Sequence, residues 1–114
     1  MPLSSDIIGQ EILTDVKEAA VKRILFLPHA VSQMNAPDRM ISTQEVRTVV
    51  SRGVVIEDYP EDARGHSCLL LGRGDADRVL HVVCAPRPDY LAIITTYLPS
   101  PDQWEPDWRT RRKR

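Results

Sequence analysis

The sequence predicts an α+β domain, with helices from its N-terminal part packed on one face of a mainly antiparallel sheet of four to five strands. Three observations point there. Apolar residues recur at helical spacing in the first half of the chain and with a period of two from Val54 onward. The later apolar runs are joined by PEDARGH, GDAD and PRPD, links rich in turn formers and too short for the crossovers that parallel neighbours require. With 114 residues, 42% hydrophobic and 27% charged, the chain suits one domain around one core, residues 1–114, with 1–5 and 109–114 as flexible ends.

Taken in order, the first helix is expected over roughly residues 6–21. Ile8, Ile12, Val16 and Ala19 or Ala20 form its apolar face, and Ser4 or Ser5 is placed to cap it. RILFL, residues 23–27, is short and apolar enough for a strand. Pro28 can open a short helix through Met34, because a first helical turn has no partner for the N–H that proline lacks. Pro37 disfavours helical backbone before it, so that helix ends by Ala36.

Ser42-Thr43-Gln44-Glu45 has the spacing of a capping box: the Ser42 hydroxyl accepts from the Glu45 amide, and the Glu45 carboxylate accepts from the Ser42 amide. Val46, Val49 and Val50 give the helix over 43–52 its apolar face, and Gly53 is placed to end it in a left-handed conformation. VVIEDY, SCLLLGR, RVLHVVCA and YLAIITTYL then read as four strands of a meander.

Placing Cys68 opposite Cys84 puts Leu70 opposite Val82 and collects Cys68, Leu70, Leu80, Val82 and Cys84 on one wholly apolar side, the side for the helices. The same register adds Val54, Ile56, Ala92, Ile94 and Leu98. The other side receives Glu57, Tyr59, Ser67, Leu69, Arg73, His81, Val83, Ile93, Thr95 and Tyr97, a mixture of apolar filler with titratable and hydrogen-bonding groups.

Charge is balanced overall and uneven along the chain. Five of the fifteen Lys and Arg residues lie in the final RTRRKR, which leaves ten basic groups against sixteen acidic ones before it. That tail is either a nucleic-acid-contacting arm or a solvated end. No apolar run approaches the length of a membrane span, no basic segment followed by an apolar one opens the chain, and two cysteines suit a reducing compartment. The expected location is cytoplasmic, away from membranes.

Familiar catalytic motifs are missing. The sequence has no CxxC, and His29, His66 and His81 lack the paired spacing of a zinc site, so neither a metal nor a cofactor is expected. There is no GxSxG elbow and no phosphate-cradling glycine loop. His81 is either a sheet histidine satisfied by Thr95 or Tyr97, or a general acid or base. Glu57 and Arg73 are either a surface ion pair or a pair that holds a phosphate. Tyr59 and Tyr97 either pack against Pro60 and Pro99, or stack on bases and move protons. Trp104 and Trp108 either pack the C-terminal segment onto the sheet or anchor a protein interface.

The blocks LPHAVSQM, DRMISTQEV, GVVIEDYPEDARGHSCLLLG, RVLHVVCAP and YLAIITTYLP, in that order from about residue 10 to about residue 112, resemble the prokaryotic family called domain of unknown function 4258. The resemblance implies a layout similar to the ribonuclease toxins of the RelE and ParE type, and a small zinc-finger protein, similar to an antitoxin, as partner. It carries the family's HA block onto His29 and Ala30, its downstream arginine onto Arg39, its acidic turn onto Glu57, Asp58 and Tyr59, and its later histidines onto His66 and His81. Gln33 stands where many members have arginine.

On this reading the expected activity is metal-independent RNA cleavage. His81 or Glu57 is the base, Arg73 with Arg64 the phosphate clamp, and Tyr97 or Tyr59 the acid or stacking platform, with His66 and His29 as further substrate contacts. The alternative keeps the same residues and removes the chemistry: a protein-interaction module that binds the zinc-finger partner.

Overall fold

Three helices pack on one face of a five-stranded sheet in a computed structural model that describes residues 5–113. The elements in chain order are α1 (Ser5–Lys22), β1 (Ile24–Phe26), α2 (Pro28–Met34), α3 (Thr43–Arg52), β2 (Val54–Tyr59), β3 (Ser67–Arg73), β4 (Val79–Pro86) and β5 (Leu91–Tyr97), with a short 3-10 turn at Asp75–Asp77. The sheet order is β1-β5-β4-β3-β2, so β2 to β5 form the expected meander. β1 joins its far side parallel to β5. The fold is therefore α+β, as its sequence predicts.

Ser5 is the first residue of α1, and the alternative cap, Ser4, lies outside the described residues. α1 buries Ile12, Val16 and Ala19 against the sheet, α2 buries Ala30 and Met34, and α3 buries Val46, Val49 and Val50. Across the sheet, Cys68 pairs with Cys84 and Leu70 with Val82, the predicted register. Both cysteines are buried free thiols with their sulfurs 4.0 Å apart, small core residues beneath the helices.

Two bulges correct the outer strands. The pairing of β2 with β3 skips Ile56, so Val55 packs on the core where Val54 and Ile56 were expected, and Val54 is exposed. The pairing of β5 with β4 skips Ile94, so Ile93 lies opposite Cys84 in the core and Ala92 opposite Ala85 on the other side. An extra residue shifts a strand's alternation by one from that point on. Glu57, Tyr59, Thr95 and Tyr97 nonetheless lie on the polar face, because the expected register holds on their side of each bulge.

The capping box is present: the Glu45 amide donates to Ser42 Oγ and the Ser42 amide to Glu45 Oε1, each at 3.0 Å. Glu45 does more than cap. Buried at 2% exposure, its carboxylate receives Arg78 Nη2 at 2.7 Å, Arg78 Nε at 2.8 Å and the Asp75 amide at 2.8 Å. Arg78 also donates to the carbonyls of Arg39 and Met40, so one arginine ties the β3–β4 turn to the start of α3. The Arg78 contact, opposed by burial and helped by the backbone amides, lowers the Glu45 pKa to about 2. Gly74 permits this approach, since a Cβ there would sit 2.2 Å from Glu45 Oε2.

Gly53 ends α3 in extended backbone, not in the expected left-handed one. Glycine is needed there for closeness: a Cβ would lie 2.5 Å from the Val49 carbonyl oxygen and 2.7 Å from that of Leu71.

Candidate functional site

The sheet face turned away from the helices is covered around His81 by the chain itself. After β5, residues 99–113 fold back as an arm with its own reversal, in which the Glu105 amide donates to the Thr110 carbonyl and the Arg112 amide to the Gln103 carbonyl, each at 2.8 Å. Asp107 stabilises the turn by accepting from the amides of Arg109 and Thr110 and from the Thr110 hydroxyl. An acidic side chain two or three residues before the amides that it caps is ordinary turn chemistry. The RTRRKR segment, expected as a flexible end, thus contributes Arg111 and Arg112 to the arm's contacts.

Trp104 brings the arm onto the sheet. It is 1% exposed, and its ring meets that of His81 edge to face, with centroids 4.5 Å apart. The Arg111 guanidinium lies over the same indole at 4.6 Å and clasps Glu57 through Nε at 2.8 Å and Nη2 at 3.0 Å. The Tyr59 hydroxyl donates to Glu57 Oε1. His81, Tyr97, Glu57, Tyr59, Arg111 and Trp104 therefore form one cluster between sheet and arm.

The protonation states in this cluster follow from its bonds. His81 Nε2 lies 2.8 Å from the Trp108 carbonyl, which only accepts, so that nitrogen carries the proton. Nδ1 then accepts from the Tyr97 hydroxyl at 3.2 Å. Burial lowers the His81 pKa and outweighs the opposing pull of Trp108 and Glu57, leaving a neutral ring at pH 7. Burial pushes the Glu57 carboxyl up, but hydrogen bonds from Arg111 and Tyr59 bring it below its ordinary value. Tyr59 is raised by burial and by the adjacent Glu57, and Tyr97 by burial. The cluster is a neutral assembly: one carboxylate, one guanidinium, a neutral imidazole and two phenols.

Other expected site residues lie elsewhere. Arg73 is exposed at the far end of β3 and donates to the Asp77 carbonyl at 3.2 Å; the partner of Glu57 is Arg111. Arg64 forks onto Asp62 at 3.1 and 2.9 Å within the β2–β3 turn, where Ser67 also donates to Asp62. His66 bonds Asp58 and lines a depression with Asp15, Glu18, Lys22 and Arg87. His29 is exposed on α2. Gln33, the departure from the family's arginine, accepts from the side chain of Arg39. The two carboxylates of the acidic turn are thus engaged within the protein, Glu57 by Arg111 and Tyr59 and Asp58 by His66.

Reading the sequence for chemistry missed Arg111, because a run of basic residues at a chain end looks solvated. A usable signal was present in WEPDWRTR, where turn-forming Pro and Asp separate a tryptophan from an arginine that can return to it. Among the described residues no group of three or more His, Cys, Asp or Glu side chains is placed to share a metal ion. Nor is any helix among them long and apolar enough to cross a membrane.

No curated protein and no solved structure matches this chain. A family does match, and it covers residues 26–98, from the last residue of β1 past the end of β5, the span that includes β2 to β5 and the residues of the polar face apart from the arm. The chain belongs to the family described as Domain of unknown function (DUF4258).

Proposed function

We propose that the protein is a non-catalytic protein-interaction module, with a small zinc-finger protein, as the family resemblance implies, for its class of partner. The observation that carries this reading is the closure of the polar sheet face by the chain's own arm. His81 is 0% exposed, and both of its ring nitrogens are engaged within the protein. A general acid or base must come within hydrogen-bond reach of the proton that it moves. A buried histidine with both nitrogens satisfied acts instead as a structural element that joins sheet to arm.

A second reading, metal-independent RNA cleavage, is favoured by one specific observation. The Arg111 side chain is 58% exposed while it holds an ionised Glu57, which sets a phosphate clamp beside a candidate base for a ribose hydroxyl. His81 would join them only with the arm lifted.

The deciding experiment is incubation of the purified protein with single-stranded and structured RNA in chelator, beside Glu57→Gln and His81→Ala variants shown to be folded. Intact RNA in every reaction is expected. Cleavage by the wild type that Glu57→Gln abolishes would overturn the module reading and establish the second one.

A further inference from the structure

Among the described residues the sheet has a free edge at β1, which pairs there only with β5. The Arg23 carbonyl accepts from the Leu91 amide at 2.8 Å and the Leu27 amide donates to the Ile93 carbonyl at 3.0 Å, so these groups point toward β5. Alternation along the strand turns the backbone groups of Ile24 and Phe26 outward. Beside this edge lies a shallow groove of about 330 Å³ between α1 and α3, lined by Ala20, Val21, Ile24 and Val50 and flanked by Lys17 and Arg47.

Three features set this groove apart. Val21 is 87% exposed, the highest value among the large hydrophobic residues described. Arg47 lies over the Phe26 ring at 5.8 Å, which holds its charge above the strand edge, and neither Lys17 nor Arg47 has a carboxylate partner among the described residues. The acidic residues Asp15 and Glu18 of α1 line the depression that contains His66 instead. A cationic rim is thus a local departure on a chain that carries ten basic against sixteen acidic groups before its final six residues.

We propose that this groove is the docking surface of the module, and that its occupant is an extended protein segment presenting an apolar side chain flanked by carboxylates. The proposal rests on the module reading above. Lys17 and Arg47 select acidic flanks by charge complementarity, and the groove accepts the apolar anchor. The outward backbone groups of Ile24 and Phe26 add a few main-chain bonds of the strand-addition kind. A three-residue edge is too short to recruit strands indiscriminately, so side chains carry the selectivity. Nucleic acid does not fit as occupant, because it calls for a broad basic patch where this groove offers two cations around an apolar floor.

The test is selection of phage-displayed random peptides on the wild-type protein. Enriched sequences are then measured by fluorescence anisotropy against wild type, Val21→Glu, Lys17→Glu and Arg47→Glu, with folding checked by circular dichroism. Peptides with an apolar residue between Asp or Glu are expected, bound about 10-fold more weakly by each variant and more weakly as salt rises. Enriched peptides that bind all variants like wild type overturn the groove and leave the module reading standing. Basic peptides, or no enrichment, overturn the assigned partner chemistry. A self-association that Val21→Glu abolishes, measured by sedimentation, would make a second copy the occupant and overturn the peptide. RNA cleavage by the same preparations overturns the module reading itself.

Discussion

Arg111 clasps Glu57, 54 positions earlier in the chain, through two hydrogen bonds of 2.8 and 3.0 Å, while its guanidinium rests on the Trp104 ring. Planar, two-pronged recognition and ring stacking both depend on the arginine fork. The contact closes the arm over β2, but it is open to water on one side and is correspondingly modest in energy.

Arg111→Ala is therefore expected to cost only about 1 kcal/mol, yet to loosen the arm. Hydrogen exchange checks this: the Glu105 and Arg112 amides, which bond within the arm, should exchange faster, while the Val82 amide of β4 should be nearly unchanged. Arg111→Lys should behave like the alanine variant, because an ammonium cannot form the fork.

Trp104 should matter far more. Replacing this buried indole by alanine removes the edge-to-face contact with His81 and opens a cavity between sheet and arm, at an expected cost of ~3–5 kcal/mol. Urea denaturation measures it, and a loss below 1 kcal/mol would mean that the arm contributes little to the folded state.

His81 predicts a pH dependence of known sign. Its folded pKa lies below the usual 6.5, so on acidification the unfolded chain takes up the proton first. The stability associated with the neutral ring is fully present above pH 6.5 and declines as pH falls below it. Stability of wild type and His81→Gln measured from pH 8 to 5 should show a steeper decline for wild type; parallel curves would refute it.

Glu45 acts lower on the scale. A folded pKa of about 2 against an ordinary 4.5 gives stability that is present above pH 4.5 and lost as pH falls toward 2. At full effect this amounts to ~3 kcal/mol. Arg78→Ala, which leaves a buried carboxylate without its main partner, should destabilise by ~3 kcal/mol at pH 7 and raise the pH of acid unfolding.

Much of this fold was legible because its determinants are local. The capping box of Ser42 and Glu45, the prolines at 28 and 37, and the period-two runs each need only a few adjacent residues, and the Cys68 and Cys84 register follows from one short turn. The bulges at Ile56 and Ile94 were not legible, since both strands remain apolar and alternating in either register. The candidate site was half legible. Strand alternation brings Glu57, Tyr59, His81 and Tyr97 together and offers Arg73, on the same face, as their cation, whereas Arg111 arrives through a reversal of the chain. Arg78 was missed for a similar reason: its partner Glu45 already had an explanation as a cap.

The arm also imposes an order in time. Residues 99–113 leave the ribosome after β5, so β2 to β5 are complete before the segment that shields His81 has emerged. Until the arm emerges, that face must remain bare or be held by something else, and a transcript cut short after β5 would yield a protein in which His81 stays uncovered.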